Sequence, residues 1–136
     1  MIVGIGTDMT EVSRMAEMVD RHGDRFLKRI FTDEELVYSL DKPRQAEHLA
    51  VRFAAKEAVL KAIKTGVGPG TSLHEVEVLR GDKGEPEIRL HGRTAKVAAA
   101  KGVKKIHVSL THTGGYGLAF AVCEDSEAFP QCGIQP

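Results

Sequence analysis

Between residues 44 and 65 the chain carries no Gly or Pro and is rich in Ala and Leu. Leu49, Phe53, Leu60 and Ile63 recur there at three-, four- and seven-residue spacings, which predicts one long helix with an apolar stripe. Ahead of it, Ile2-Val3-Gly4-Ile5-Gly6-Thr7-Asp8 starts apolar and β-branched, then turns small and polar. That pattern predicts a short buried strand running out near Asp8, with Gly4 and Gly6 allowing close backbone approach. Residues 9–19 predict a helix with Met9, Val12, Met15, Ala16 and Val19 on one face. His22-Gly23-Asp24 breaks it, and Phe26, Leu27, Ile30 and Phe31 return to the core. Thr32 and Glu35 make a capping box for a short helix that Asp41-Lys42-Pro43 ends.

The second half changes period. Residues 73–80 and 87–91 alternate around Gly81-Asp82-Lys83-Gly84-Glu85-Pro86, predicting a hairpin with a loop longer than two residues. Residues 93–101 read as an Ala-rich helix with Gly102 just past its end. Residues 104–113 are the clearest strand: Ile106, Val108, Leu110 and His112 face one way, and His107, Ser109, Thr111 and Thr113 the other. Gly114-Gly115 turns it into a last strand over 116–122. Strand, helices, two strands, helix, two strands make two successive β-α-β-β units, an α+β domain with a long central helix and mixed or antiparallel sheets. A doubly wound fold would need strict alternation. Residues 1–123 form the single domain, and residues 124–136, polar and without period, a loose tail.

Composition narrows the classes. At 136 residues one domain is expected, and 42% hydrophobic residues suffice for a core that a disordered chain would lack. Aromatics make up only 5% with no Trp, so that core is aliphatic. A formal net charge of zero argues against a nucleic-acid partner. Two cysteines are too few for a disulfide framework, and no apolar run approaches 18 residues, so a cytoplasmic protein without a membrane partner is expected.

Two acids stand out. Glu57 lies on the apolar stripe of the long helix, where a carboxylate is costly unless paired. Lys61, one turn on, offers a plain surface pair; the alternative is a carboxylate kept for a cation, with Lys56 and Lys61 near for anions. Asp8 at the strand end reads either as an N-cap with Glu11 or as a metal ligand. Hard oxygen donors of this kind suit Mg²⁺, which takes one or two carboxylates plus substrate phosphates. Gly66-Val67-Gly68-Pro69-Gly70 after the helix is either a simple turn or a set of N–H groups for a phosphate. Arg14, Arg21 and the basic residues up to Arg29 are either a solvated face or a docking surface, with Met15 or Met18 as an adaptable contact.

These residues carry a family resemblance. Gly4-Ile5-Gly6-Thr7-Asp8 with Glu11 and Arg14, Phe31-Thr32-Asp33-Glu34-Glu35-Leu36, Arg52-Phe53-Ala54-Ala55-Lys56-Glu57-Ala58 with Lys61, Gly84-Glu85-Pro86, and Ser109-Leu110-Thr111-His112-Thr113 stand in order over residues 1–122. In these the chain resembles the holo-acyl-carrier-protein synthases, the small bacterial class of 4′-phosphopantetheinyl transferases. The segments 22–24 and 41–43 depart from the family in length, and Gly68-Pro69-Gly70 makes an unusual loop. The resemblance implies the phosphopantetheinyl transferase fold and transfer of the phosphopantetheine arm of coenzyme A to a serine of an acidic apo-acyl carrier protein of fatty-acid or polyketide synthesis, releasing adenosine 3′,5′-bisphosphate. It implies that Asp8 and Glu57 hold Mg²⁺, that Glu57 takes the serine proton directly or through a water, and that Lys61 steadies the leaving group. Arg52, Lys56, Lys61, Gly66, Gly68, Pro86, Ser109, Thr111 and His112 are its implied coenzyme A contacts, with Ser109 and Thr111 lining the same pocket. Arg14, Met18 and Arg21 are its implied carrier-protein contacts, and a homotrimer with sites at subunit interfaces its assembly. His107 and His112 read equally as ordinary strand histidines. A binding module without chemistry and a nucleic-acid binder are the competing classes, and the presence of both acids and Lys61 speaks against the first.

Overall fold

The computed structural model describes residues 1–126; of the expected tail, 127–136 lie outside the described residues. The elements run β1 (Ile2–Glu11), α1 (Val12–Ile30), α2 (Asp33–Leu40), α3 (Gln45–Ala62), β2 (Val76–Arg80), β3 (Pro86–Leu90), α4 (Gly92–Ala100), β4 (Lys105–Thr113) and β5 (Tyr116–Glu124). All strand pairs are antiparallel. β1, β5 and β4 form one three-stranded sheet in that order, and β2 and β3 form a separate hairpin. The element order is the one the hydrophobic pattern predicts.

Most of α3 is buried, and its Ala54, Ala55, Ala58 and Ala62 are fully enclosed. Small residues on both partners make this possible. A Cβ at Gly4 would lie 2.0 Å from the Ala62 carbonyl oxygen, and one at Gly6 would lie 2.0 Å from that of Ala58. The helix therefore rides directly on the β1 backbone, as the paired glycines predict. Ile106, Val108 and Leu110 of β4 pack against the same core, together with Val76 and Val78 of the hairpin. A second cluster under α1 joins Met15, Leu27 and Phe31 to Leu49 and Ala50 of α3.

Three local readings change. β1 continues to Glu11, so Asp8 sits inside a strand opposite Ala119 and is not an N-cap. The N-cap of α1 is Glu11, which makes no side-chain cap hydrogen bond, so the helix starts at Val12 and not Met9. The continued pairing of Asp8 to Glu11 with β5 holds these residues extended. Gly23, at φ 54°, supplies the expected break inside α1. The Thr32–Glu35 capping box forms in full.

Glu77 is buried rather than solvated, although it occupies a polar position in an alternating strand. Burial pushes its carboxyl up, but hydrogen bonds from the Thr32 hydroxyl (2.5 Å) and His91 (2.9 Å) more than offset this and hold it below the usual range. The outward face of the main sheet is the reverse case. Ile5, Met9, Leu118 and Phe120 stand there 60%, 62%, 40% and 45% exposed, an apolar surface that the sequence pattern does not reveal.

Candidate active site

The helix-facing side of β1 places Gly6, Asp8 and Thr10 in succession. Contact between Gly6 and Ala58 brings Asp8 beside the next groups on α3, Glu57 and Lys61. The Lys61 ammonium donates to the Thr7 carbonyl (3.0 Å) and contacts Asp8 Oδ1 (3.2 Å). Thr10 donates its hydroxyl to Asp8 Oδ2 at 3.3 Å. Burial raises the pKa of Glu57, Asp8 adds to the rise, and Lys61 partly opposes it. A carboxylate whose charge is disfavoured by burial and by a second carboxylate in the same groove is an unfavourable arrangement for the protein alone and a favourable one for a cation.

The groove has a volume of about 500 Å³ and includes Asp8, Glu57 and Lys61. Its other wall comes from α1 and is mixed, with Arg14 beside Met15, Met18 and Phe26. Arg14 and Met18 are thus brought to the carboxylates, whereas Arg21 is exposed farther along α1 and does not line the groove. Among the described residues no cluster of three or more His, Cys, Asp or Glu side chains could hold a metal by itself. A pair of carboxylates fits Mg²⁺ better than Zn²⁺, because Mg²⁺ keeps waters and accepts substrate phosphates as its remaining ligands.

The next face of α3 carries Arg52 and Lys56, a turn apart. Lys56 is fully buried. Its ammonium donates to Glu35 Oε1 (2.7 Å), the Leu73 carbonyl (3.1 Å) and the Val76 carbonyl (2.6 Å). All three N–H donors are used inside the protein, so Lys56 is not a phosphate contact. Burial lowers its pKa, and Glu35 works against that. Arg52 is also buried, donates to the His48 carbonyl (3.2 Å) and sits 4.3 Å from the Tyr38 ring centroid. Its Nε has no hydrogen-bond partner among the described residues, and it lines a groove of about 420 Å³ with Tyr38, Arg80 and Arg89.

The family model of the 4′-phosphopantetheinyl transferase superfamily matches residues 4–123. The chain belongs to this superfamily. A holo-[acyl-carrier-protein] synthase of Koribacter versatilis is 45% identical over 92% of this chain and 100% of its own length. That of Geobacter sulfurreducens is 40% identical over 91% and 98%. The crystal structure of the Neisseria meningitidis holo-[acyl-carrier-protein] synthase superposes with a TM-score of 0.84 at 33% identity, covering 91% of this chain and 99% of that one. The Helicobacter pylori enzyme, solved in complex with coenzyme A, gives 0.79 at 28% identity over 88% and 99%. The protein is therefore a phosphopantetheinyl transferase of the holo-[acyl-carrier-protein] synthase kind.

Measured against a transferase site, several sequence expectations need correction. Ser109 and Thr111 pair with Phe120 and Leu118 on the outward face of the sheet, away from the face bearing Asp8, so one chain does not bring them into the Asp8–Glu57 groove. The backbone N–H of Gly66 donates to the Leu60 carbonyl (3.2 Å), and that of Gly68 donates to the Thr71 hydroxyl oxygen (3.2 Å). Neither amide is left for a phosphate; Gly66, at φ 60°, serves the turn that ends α3. Pro86 opens β3 opposite Arg80, close to the second groove rather than the first. His112 faces the core side of β4 and meets Glu47 of α3, Nδ1 to Oε1 at 2.6 Å. Sequence reasoning misses Glu35 as more than a capping residue, and the only hint was Lys56 on a helix with too little polar surface. It also misses Phe53 and Tyr116, which line the Asp8–Glu57 groove.

Proposed function

We propose that this chain transfers the 4′-phosphopantetheine arm of coenzyme A to a serine of an apo-acyl carrier protein. The convergence of Asp8, Glu57 and Lys61 in a groove walled by Arg14 and Met18 carries this reading. In the reaction the serine oxygen bonds to the phosphorus attached to pantetheine. The pyrophosphate P–O bond breaks, and adenosine 3′,5′-bisphosphate leaves with the bond electrons. The serine proton passes to the Glu57 carboxylate. Lys61 neutralises charge on the departing phosphate. Asp8 and Glu57 would hold Mg²⁺, which when bound supplies charge neutralisation at the pyrophosphate. Intact mass spectrometry of an apo-carrier protein incubated with the enzyme, coenzyme A and Mg²⁺ tests this. A gain of one phosphopantetheine, lost with chelator, is expected; no gain with any fatty-acid or polyketide carrier would overturn the reading.

Arg52 is proposed to take a coenzyme A phosphate, since its buried guanidinium has an Nε without a hydrogen-bond partner among the described residues and Arg80 and Arg89 stand nearby. His112, Pro86, Ser109 and Thr111 belong to the same proposed set, together with Lys61. Lys56 and the amides of Gly66 and Gly68 do not. Arg14, Met18 and Arg21 are proposed to meet an acidic carrier protein. Arg14→Glu is expected to raise KM for the carrier roughly tenfold while leaving coenzyme A binding unchanged. Equal loss of both would assign Arg14 to the site itself.

A homotrimer is the proposed assembly. Exposed Ile5, Met9, Leu118 and Phe120 favour it, since burying this face offsets their hydration. Ser109 and Thr111 lie on that same face, where a neighbour could use them. Sedimentation is expected to give three times the 14.8 kDa chain mass; a monomer at micromolar concentration sinks the assembly. No helix among the described residues is long and apolar enough to cross a membrane. A cytoplasmic setting belongs to the same reading, as the compartment where carrier proteins would be loaded, and cell fractionation tests it.

A further inference from the structure

Glu47 has no role in the reading above, yet its carboxylate is held between an imidazole and a guanidinium. Oε1 lies 2.6 Å from His112 Nδ1, and Oε2 lies 3.7 Å from the Arg44 guanidinium. The Glu47 side chain is only 18% exposed, whereas that of His112 is 49% exposed. An acid in the first turn of α3 is favourable with the helix dipole alone. That general effect does not account for a mostly covered carboxylate set against the penultimate residue of β4, an element 65 residues on in the chain, which is 112 − 47. The neighbouring histidine, His48, feels Glu47 only as a lesser, opposing influence. Burial lowers the pKa of His48, Arg52 lowers it further, and its ring meets Tyr38 edge-on with centroids 5.8 Å apart. The two nitrogens of a histidine are distinct, and what one meets decides where the other points. Because Nδ1 is the ring nitrogen that meets Glu47, Nε2 of this half-exposed ring is the one left for another partner.

We propose that Glu47 is a positioning residue, which fixes the His112 ring so that Nε2 is presented to a phosphate of coenzyme A. This rests on the assignment of His112 to coenzyme A given above. Glu47 touches no reacting atom, so its effect belongs to KM and not to kcat. It also acts only through His112, so the two substitutions are not additive.

The test is a double-mutant cycle on KM for coenzyme A, measured with saturating carrier protein. Glu47→Ala is expected to raise KM about tenfold, the size of one charge-assisted contact. Its kcat at saturating coenzyme A should stay within about twofold of the parent. His112→Ala should raise KM similarly, and Glu47→Ala added to it should raise KM no further. Glu47→Gln, which keeps the shape and one acceptor oxygen, should lie between Glu47→Ala and the parent; it carries the same cycle if the alanine variant does not fold. Additive effects on KM, or a fall in kcat alone, overturn the positioning role while leaving the His112 assignment standing. An unchanged KM in His112→Ala removes the His112 assignment, and the proposal with it, while the mass-spectrometric assay still reports separately whether the transferase reading holds.

Discussion

Glu57→Ala is expected to lower kcat/KM for phosphopantetheine transfer by about 10³-fold or more, from the combined loss of a proton acceptor and a cation ligand. Asp8→Ala should fall in the same range, because both carboxylates serve one site. The two losses should not multiply: a pair that acts as a unit is spent once either member is gone. Folding should survive both changes. Glu57 is only partly buried and its charge is opposed by burial and by Asp8, so its removal relieves an unfavourable term. Asp8→Ala loses the contact to a half-exposed Lys61, worth about 1 kcal/mol or less, and a hydrogen bond from the Thr10 hydroxyl of about the same size. The measurement is steady-state transfer beside a thermal melt. Full activity in both variants would remove the metal and proton roles together, whereas lost activity with a collapsed melting curve would leave only a structural role.

Glu35→Ala should be the most destabilising of the single changes considered, by about 3–5 kcal/mol, because it strands a fully buried ammonium. Glu35 does more than pair with Lys56. Oε1 also accepts the Thr32 N–H at 2.9 Å, and Oε2 accepts the Val78 N–H at 2.9 Å. One carboxylate thus joins the cap of α2, the middle of α3 and the start of the hairpin. Replacing both charges, as in Glu35→Leu with Lys56→Met, should recover part of the loss, since an apolar pair needs no counter-charge. The recovery stays incomplete because the Val78 N–H and the Leu73 and Val76 carbonyls lose partners. Urea denaturation midpoints of the two variants against the parent decide it. A loss below about 1 kcal/mol in Glu35→Ala would mean that Lys56 reaches water in the folded state.

Much of the site was legible because its residues break local rules. Glu57 stands out as an acid on an apolar stripe, and Gly4 and Gly6 stand out as glycines inside a strand. The capping box is a local pattern, and it forms as read. Lys56 was misread for a physical reason. Lys56 and Glu57 are adjacent and so point about 100° apart around the helix. On a helix flanked by apolar residues nearly all round, nothing local says which of the two faces the core. Asp8 was open between cap and ligand because the end of a strand depends on whether a partner continues beside it.

The sequence by itself determined the order and type of the elements, the close seat of α3 on β1 and which acid stands against its local pattern, since propensity, period and glycine spacing act within a few residues. Only the tertiary structure decided the rest. β1 pairs with β5, the last strand, and this long-range closure extends β1 through Asp8 and sets it opposite α3. The same packing buries Lys56 on Glu35, turns Ser109 and Thr111 to the outward face and sets Glu47 against His112. Each of these depends on which distant chain segment lies alongside, and residue order alone does not carry that information.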